Sequence, residues 1–221
     1  LDKVPNEPEA LHMLAALGEG VVPQRASNEY VIAHFDRFAE DFDKQLVEEL
    51  DYIAPQILVD SLRDQVGIPS GNLIILDAGC GTGLCGPKVK YFAKRLDGVD
   101  LSHEMLEIAR KRKCYSHLIE DEIIRYFGRT KQTYDVILAA DTICYFGDLT
   151  KLFNSLIRVL NPNALFLFTV ESCDEENEFR LSQSGRFMHG KNYVQTIIER
   201  VGLSVISFAN KTLRTEYGEP V

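Results

Sequence analysis

Several features that would direct this chain to particular functions are missing. No apolar run approaches the ~20 residues that a membrane-spanning helix needs, and no secretory signal is visible at the start. The five cysteines, Cys80, Cys85, Cys114, Cys144 and Cys173, are odd in number and form no C-x-x-C pair. That spacing indicates neither a zinc ribbon nor a disulfide framework, and it suits a reducing, cytoplasmic setting. The five histidines show no paired ligand spacing, so no metal site is expected. Positive charge is also short: 24 Lys and Arg stand against 33 Asp and Glu, a net charge of −9. A nucleic-acid polyanion is therefore a poor partner. The local basic run of Lys88, Lys90, Lys94 and Arg95, then Arg110, Lys111, Arg112 and Lys113, reads as the solvated faces of two amphipathic helices.

What is present is ordinary globular material. The 221 residues, 45% hydrophobic and 26% charged, suffice for one domain with a full core and a short appendage. The chain starts at Leu1 rather than Met, so it is expected to be trimmed or part of a longer protein.

The informative stretch is Ile74-Ile75-Leu76-Asp77-Ala78-Gly79-Cys80-Gly81-Thr82-Gly83. An apolar run that ends on an acid and breaks into alternating glycines predicts a buried strand feeding a tight loop. Lys88, Val89, Tyr91, Phe92 and Leu96 follow at helical spacing and predict a helix beyond it. Glycines let a ligand lie against bare backbone. Two glycine patterns overlap here. Gly81-Thr82-Gly83-Leu84-Cys85-Gly86 fits the dinucleotide fingerprint G-x-G-x-x-G, and Asp77 through Gly83 fits D-x-G-x-G-x-G, by which class I S-adenosylmethionine (SAM) methyltransferases are recognised. A carboxylate at the strand tip repels a pyrophosphate but suits the α-ammonium of SAM, so SAM is favoured. Asp100 lies 21 residues after Gly79, close to the ~20-residue spacing of a ribose-binding acid.

The rest alternates. Residues 8–20 predict a short amphipathic helix, like the last helix of a helical repeat, and 1–25 are read as an N-terminal helical extension. Residues 26–221 are read as the main domain, with helices over 28–66 at its start. In the helical region 28–52, Phe35, Phe38, Phe42, Leu46 and Leu50 form a stripe that serves equally as core or as a lid over the cofactor. A helix over 55–66 closes at Gly67. Ser102 is read as the N-cap of a helix carrying Met105, which could pack on an adenine face. Strands are expected at 115–119, 134–141 and 165–170, helices at 149–160 and 192–201, an acidic loop at 171–178, and two closing strands at 203–208 and 211–216. Asp77, Asp100, Asp121 and Asp141 then all fall at strand carboxyl ends, where ligands of such sheets bind.

Residues 76–83, 98–105 and 134–141 together resemble a class I SAM-dependent methyltransferase. Further stretches at 11–20, 34–39 with Phe42-Asp43, 139–149 and 184–189, with Arg214 and Glu216, are similar to methyltransferases attached to tetratricopeptide repeats, which would place a repeat region in a longer parent chain. The resemblance implies a Rossmann-like α/β fold: a seven-stranded, mostly parallel sheet with a reversed last strand and helices on both faces. It implies SAM as cofactor, with Gly79, Gly81 and Gly83 around the methionine moiety, Asp100 on the ribose and Asp121 near adenine; Asp77, Cys80, Leu101, Met105 and Asp141 complete the expected cofactor-binding set. Ala140-Asp141-Thr142-Ile143 is not the proline-aromatic signature of base and amino-group methylases, which disfavours nucleic acid again.

The expected function is methyl transfer to an O or N of a small-molecule acceptor. Tyr145, Arg186 and His189 are the candidates at the acceptor, Arg186 to recognise an acidic group and His189 as binder or base. An NAD(P)-dependent oxidoreductase and a non-catalytic SAM-binding module are the alternatives.

Overall fold

The computed structural model describes residues 7–46, 50–174, 178–216 and 219–221. Five strands form one sheet: β1 (Leu73–Ala78), β2 (Ala93–Asp100), β3 (His117–Glu120), β4 (Tyr134–Ala139) and β5 (Leu160–Phe168). All four neighbour pairs are parallel, in the order β3-β2-β1-β4-β5. Consecutive strands step outward from β1 to β3, and the chain then returns to the other side of β1. The β1–β4 junction is thus the switch point at which open α/β sheets bind ligands.

Two cores cover the two faces. Leu58, Val59 and Leu62 of α4 (Ala54–Val66) pack with Ile75, Val89, Phe92, Leu96 and Leu138. On the other face α7 (Ile123–Arg129), α8 (Thr150–Leu156) and α9 (Lys191–Arg200) bury Phe127, Phe153 and Ile197 with Leu76 and Ile137. Among the described residues, no helix is long and apolar enough to cross a membrane.

Several elements depart from expectation. The helix after the glycine loop is a single turn, α5 (Gly86–Val89), and Leu96 lies buried on β2 instead. Its spacing from Val89 suits a helix, but pairing of β2 with β1 begins at Ala93 and claims those residues. The helical region 28–52 is broken into α2 (Asn28–Phe38) and the short α3 (Phe42–Lys44), and residues 47–49 of it lie outside the described ones. The same holds for 1–6 of the N-terminal extension and 175–177 of the acidic loop.

The largest correction concerns the sheet. Residues 203–208 form no strand, and of 211–216 only β9 (Thr215–Glu216) does, pairing antiparallel with β10 (Glu219–Pro220). Five strands stand where seven were expected, and no reversed strand follows β5 among the described residues. Val205, Ile206 and Phe208 remain partly exposed, since an alternating apolar pattern becomes a strand only where a ladder accepts its backbone groups. A small second sheet stands beside the carboxyl edge: β6 (Glu171–Ser172), β8 (Phe187–His189) and β7 (Phe179–Leu181), in that order. α1 (Pro8–Ala16) packs on α2, and its His12 bonds the Gly185 carbonyl of that sheet's turn at 2.8 Å.

Gly98 on β2 marks how tightly the sheet and the loop fit. A Cβ there would sit 2.8 Å from Leu118 and 2.9 Å from the Cys80 sulfur. We expect Gly98→Ala to destabilise the fold by about 1–3 kcal/mol, the range for overpacking, measured as a lowered midpoint in urea unfolding.

Candidate active site

A cavity open to solvent lies over the carboxyl ends of β1, β2 and β4. Of the residues expected around a cofactor, Asp77, Gly79, Cys80, Gly81, Asp100, Leu101, Met105, Asp121 and Asp141 line it, as do Tyr145 and Arg186. Two do not. Gly83 (φ +82°) turns away from the cavity, where its Cβ would meet Tyr115 at 2.9 Å, so its smallness serves packing of the loop. His189 is buried on β8, with Nε2 3.2 Å from the Gly147 carbonyl and its ring stacked on Tyr193. Burial pulls its pKa down to about 4. A neutral imidazole enclosed by that sheet is not positioned to contact an acceptor.

The glycine loop is held from behind. The N–H groups of Gly79 and Cys80 donate to the Val99 carbonyl at 2.8 and 3.0 Å. Gly79 (φ +72°) faces Thr142, and any Cβ there would lie 2.4 Å from the threonine methyl. Gly81 (φ +52°) has open space at its Cβ position, so ligand atoms can reach bare backbone there. Asp100 orients from both sides: Oδ2 accepts from Gly81 N at 2.8 Å and Oδ1 from Ser102 N at 2.9 Å. Asp100 lines the cavity, and a carboxylate can accept further hydrogen bonds, which suits ribose hydroxyls. Ser102 also caps α6 (His103–Lys111), accepting from Met105 N at 3.1 Å.

The other acids differ in how they are answered. Asp121 is held by Arg125 and Arg129 and by Glu122 N at 2.8 Å; burial raises its pKa, but these bonds outweigh it and the net shift is downward. Asp141, in a left-handed conformation at φ +55°, pairs with Arg214. Asp77 accepts only from the Tyr115 hydroxyl, at 2.6 Å, and has no ion pair among the described residues. Its pKa is pushed up to about 7, chiefly by burial, with the Tyr115 bond opposing and the Asp100 charge adding. A desolvated carboxylate without a cation is what a ligand ammonium would satisfy.

The roof comes from the N-terminal helices. Phe35 and Phe42 line the cavity with Leu46, ring centroids 5.8 Å apart, and Phe35 meets Tyr145 edge-on at 5.5 Å. Of the aromatic stripe, Phe35 and Phe42 thus line the cavity, while Phe38 is exposed. Three bonds latch the roof to the floor: Asp36 accepts from Ser102 Oγ, and Asp43 from Thr82 Oγ1 and from Arg112. At its other end Arg25 pairs with Glu122 at 2.7 Å, and Ala26 N donates to the Tyr145 carbonyl at 2.9 Å. Thr142, Arg25, Asp43 and Arg214 were not singled out as site residues in the sequence, since their contacts join segments far apart in the chain.

Residues 33–206 match a family model described as a methyltransferase domain. The chain belongs to that family. A curated relative, the malonyl-[acyl-carrier protein] O-methyltransferase of Halalkalibacterium halodurans, is 32% identical over 184 residues, covering 79% of this chain and 65% of its own. The enzyme of that name from Yersinia pestis is 26% identical over 186 residues, covering 83% and 66%. The chain thus spans just under two thirds of these relatives. In fold it is similar to the magnesium protoporphyrin IX methyltransferase of Synechocystis PCC 6803 with bound SAH, at TM-score 0.64 and 16% identity, over 83% of this chain and 92% of that one. The α/β fold is that of the class I methyltransferases, and its cofactor is SAM. A dinucleotide fits poorly: α5 is too short to offer a pyrophosphate site, and five carboxylates line the cavity against two arginines.

Asp77 gives a pH dependence with a definite sign. Below about pH 7 it carries a proton in the empty site, which a cationic ligand must displace; above, the carboxylate is ready. SAM affinity should rise by about tenfold per pH unit below neutrality and level off above it. Calorimetry on either side of neutrality, in buffers of differing ionisation enthalpy, should also detect the released proton, and Asp77→Asn should flatten the profile.

Proposed function

We propose that this chain transfers the methyl group of SAM to a carboxylate oxygen of a small or carrier-bound acid. The supporting observation is the chemistry beyond β4. There the cavity offers the Arg186 guanidinium and the Tyr145 phenol, and its lining contains no histidine or lysine. Burial chiefly raises the Tyr145 pKa far above neutrality, so the phenol stays protonated, and it hydrogen-bonds Arg186. Asp141 is already engaged by Arg214. A phenol or ammonium acceptor would have to lose a proton, and this end lacks a free base for it. A carboxylate needs none.

SAM, when bound, supplies an electrophilic methyl group on a sulfonium. Asp77 would answer its ammonium and Asp100 its ribose, while Gly81 leaves room along the backbone and Met105 and Leu101 provide apolar cover. Arg186 would grip one carboxylate oxygen of the acceptor and leave the other for attack, and Tyr145 would complete the orientation. Phe35 and Phe42 exclude water from that end. The names of the malonyl-[acyl-carrier protein] O-methyltransferases support the same acceptor chemistry. The narrower likeness to methyltransferases attached to tetratricopeptide repeats rests on sequence stretches alone, and α1 packs on α2 and the Gly185 turn rather than standing apart.

The test is SAM turnover against malonyl thioesters, free carboxylic acids, phenols and amines, with the product checked for the alkali lability of a methyl ester. Turnover confined to phenols or amines would end the reading. Arg186→Gln should raise the acceptor KM roughly tenfold to a hundredfold, the loss of one charge-assisted contact, with SAM binding unchanged by calorimetry.

A further inference from the structure

Arg214 is among the most deeply buried side chains of the protein, 1% exposed, and it does not line the cavity. It reaches the site from the C-terminal segment, which is fixed by Ile53 N donating to the Leu213 carbonyl at 2.8 Å and Thr215 N donating to Leu50 O at 2.9 Å. Val221 N closes the segment on the Arg214 carbonyl at 2.9 Å. From there Nη1 pairs with Asp141, and Nη2 with Oε1 of Glu171 at 2.7 Å. The same Glu171 oxygen is 3.4 Å from Nη1 of Arg186. Two partly buried acids thus face two arginines, and one oxygen is contested between them.

We propose that Arg214 is a positioning residue for the acceptor: by holding Asp141 and the contested oxygen of Glu171, it keeps Arg186 presented to the cavity instead of drawn onto those acids. The physical ground is that a largely desolvated carboxylate deprived of its partner draws in the nearest cation, and the nearest one to Glu171 would then be Arg186. The inference rests on the carboxylate reading only for what Arg186 is presented to.

The experiment compares the full chain with Arg214→Gln, Glu171→Gln and the double variant, each checked for folding by circular dichroism and for S-adenosylhomocysteine binding by calorimetry. Arg214→Gln should raise the KM for malonyl-N-acetylcysteamine by about tenfold, the coupling expected of neighbouring charges, and leave kcat and product binding within about twofold. Adding Glu171→Gln should restore the KM, which repair of a merely structural contact would not do. Phenylglyoxal labelling of Arg186, read by peptide mass spectrometry, should slow in Arg214→Gln and recover in the double variant. Should Arg214→Gln fail to fold, Arg214→Lys with and without Glu171→Gln gives the same contrast. A double variant no better than Arg214→Gln in labelling, or labelling of Arg214→Gln equal to the parent chain, overturns the proposal. Labelling needs no acceptor: if it shifts as expected while no carboxylate is methylated, the acceptor reading falls and the role of Arg214 stands.

Discussion

Negative charge taken out of water at the carboxyl edge of a parallel sheet governs this structure. Burial penalises an ionised carboxylate, so each must be answered by donors or cations. Asp100 is answered by two backbone N–H groups, Asp121 by two arginines, and Asp141 by Arg214. Among the described residues Asp77 has a tyrosine hydroxyl alone, and the cation it lacks is one a cofactor can bring. Of the aspartates that line the cavity, the protein answers three with its own donors or cations and leaves Asp77 without a cation among the described residues.

How much of this could be read from the chain depends on the range of each interaction. The β1 tip was legible because strand, acid and glycines follow one another within ten residues and each has a local backbone reason. Asp100 and the Ser102 cap were legible for the same reason. Leu96 misled because its distance from Val89 satisfies a helix and a buried strand alike, and only the β2–β1 register decides. The pattern at 203–208 misled because alternation signals a strand without supplying its partner. His189 looked like a reactive group beside Arg186, yet the two part company: Arg186, just before β8, lines the cavity, and His189, on β8, is buried in the cluster with Tyr193. Arg214 bonds an acid 73 positions away, a pairing no local pattern encodes.

The two ends of the cavity are accordingly built in different manners. The cofactor end is formed by consecutive strand–loop units, stiffened by backbone hydrogen bonds from the glycine loop to β2. The acceptor end is assembled from α2, the loop after β4, the small β6-β8-β7 sheet and the C-terminal segment. Gly147 allows that assembly: its Cβ would come within 2.6 Å of Phe179 and 2.7 Å of Phe187, so the loop after β4 can lie flat on the second sheet only without a side chain.

The bonds from Asp36 and Asp43 to Ser102, Thr82 and Arg112 have a kinetic side. They stitch the aromatic cover to the glycine loop and to the start and end of α6, so the cover lifts from the cavity only when several charged and hydroxyl contacts let go together.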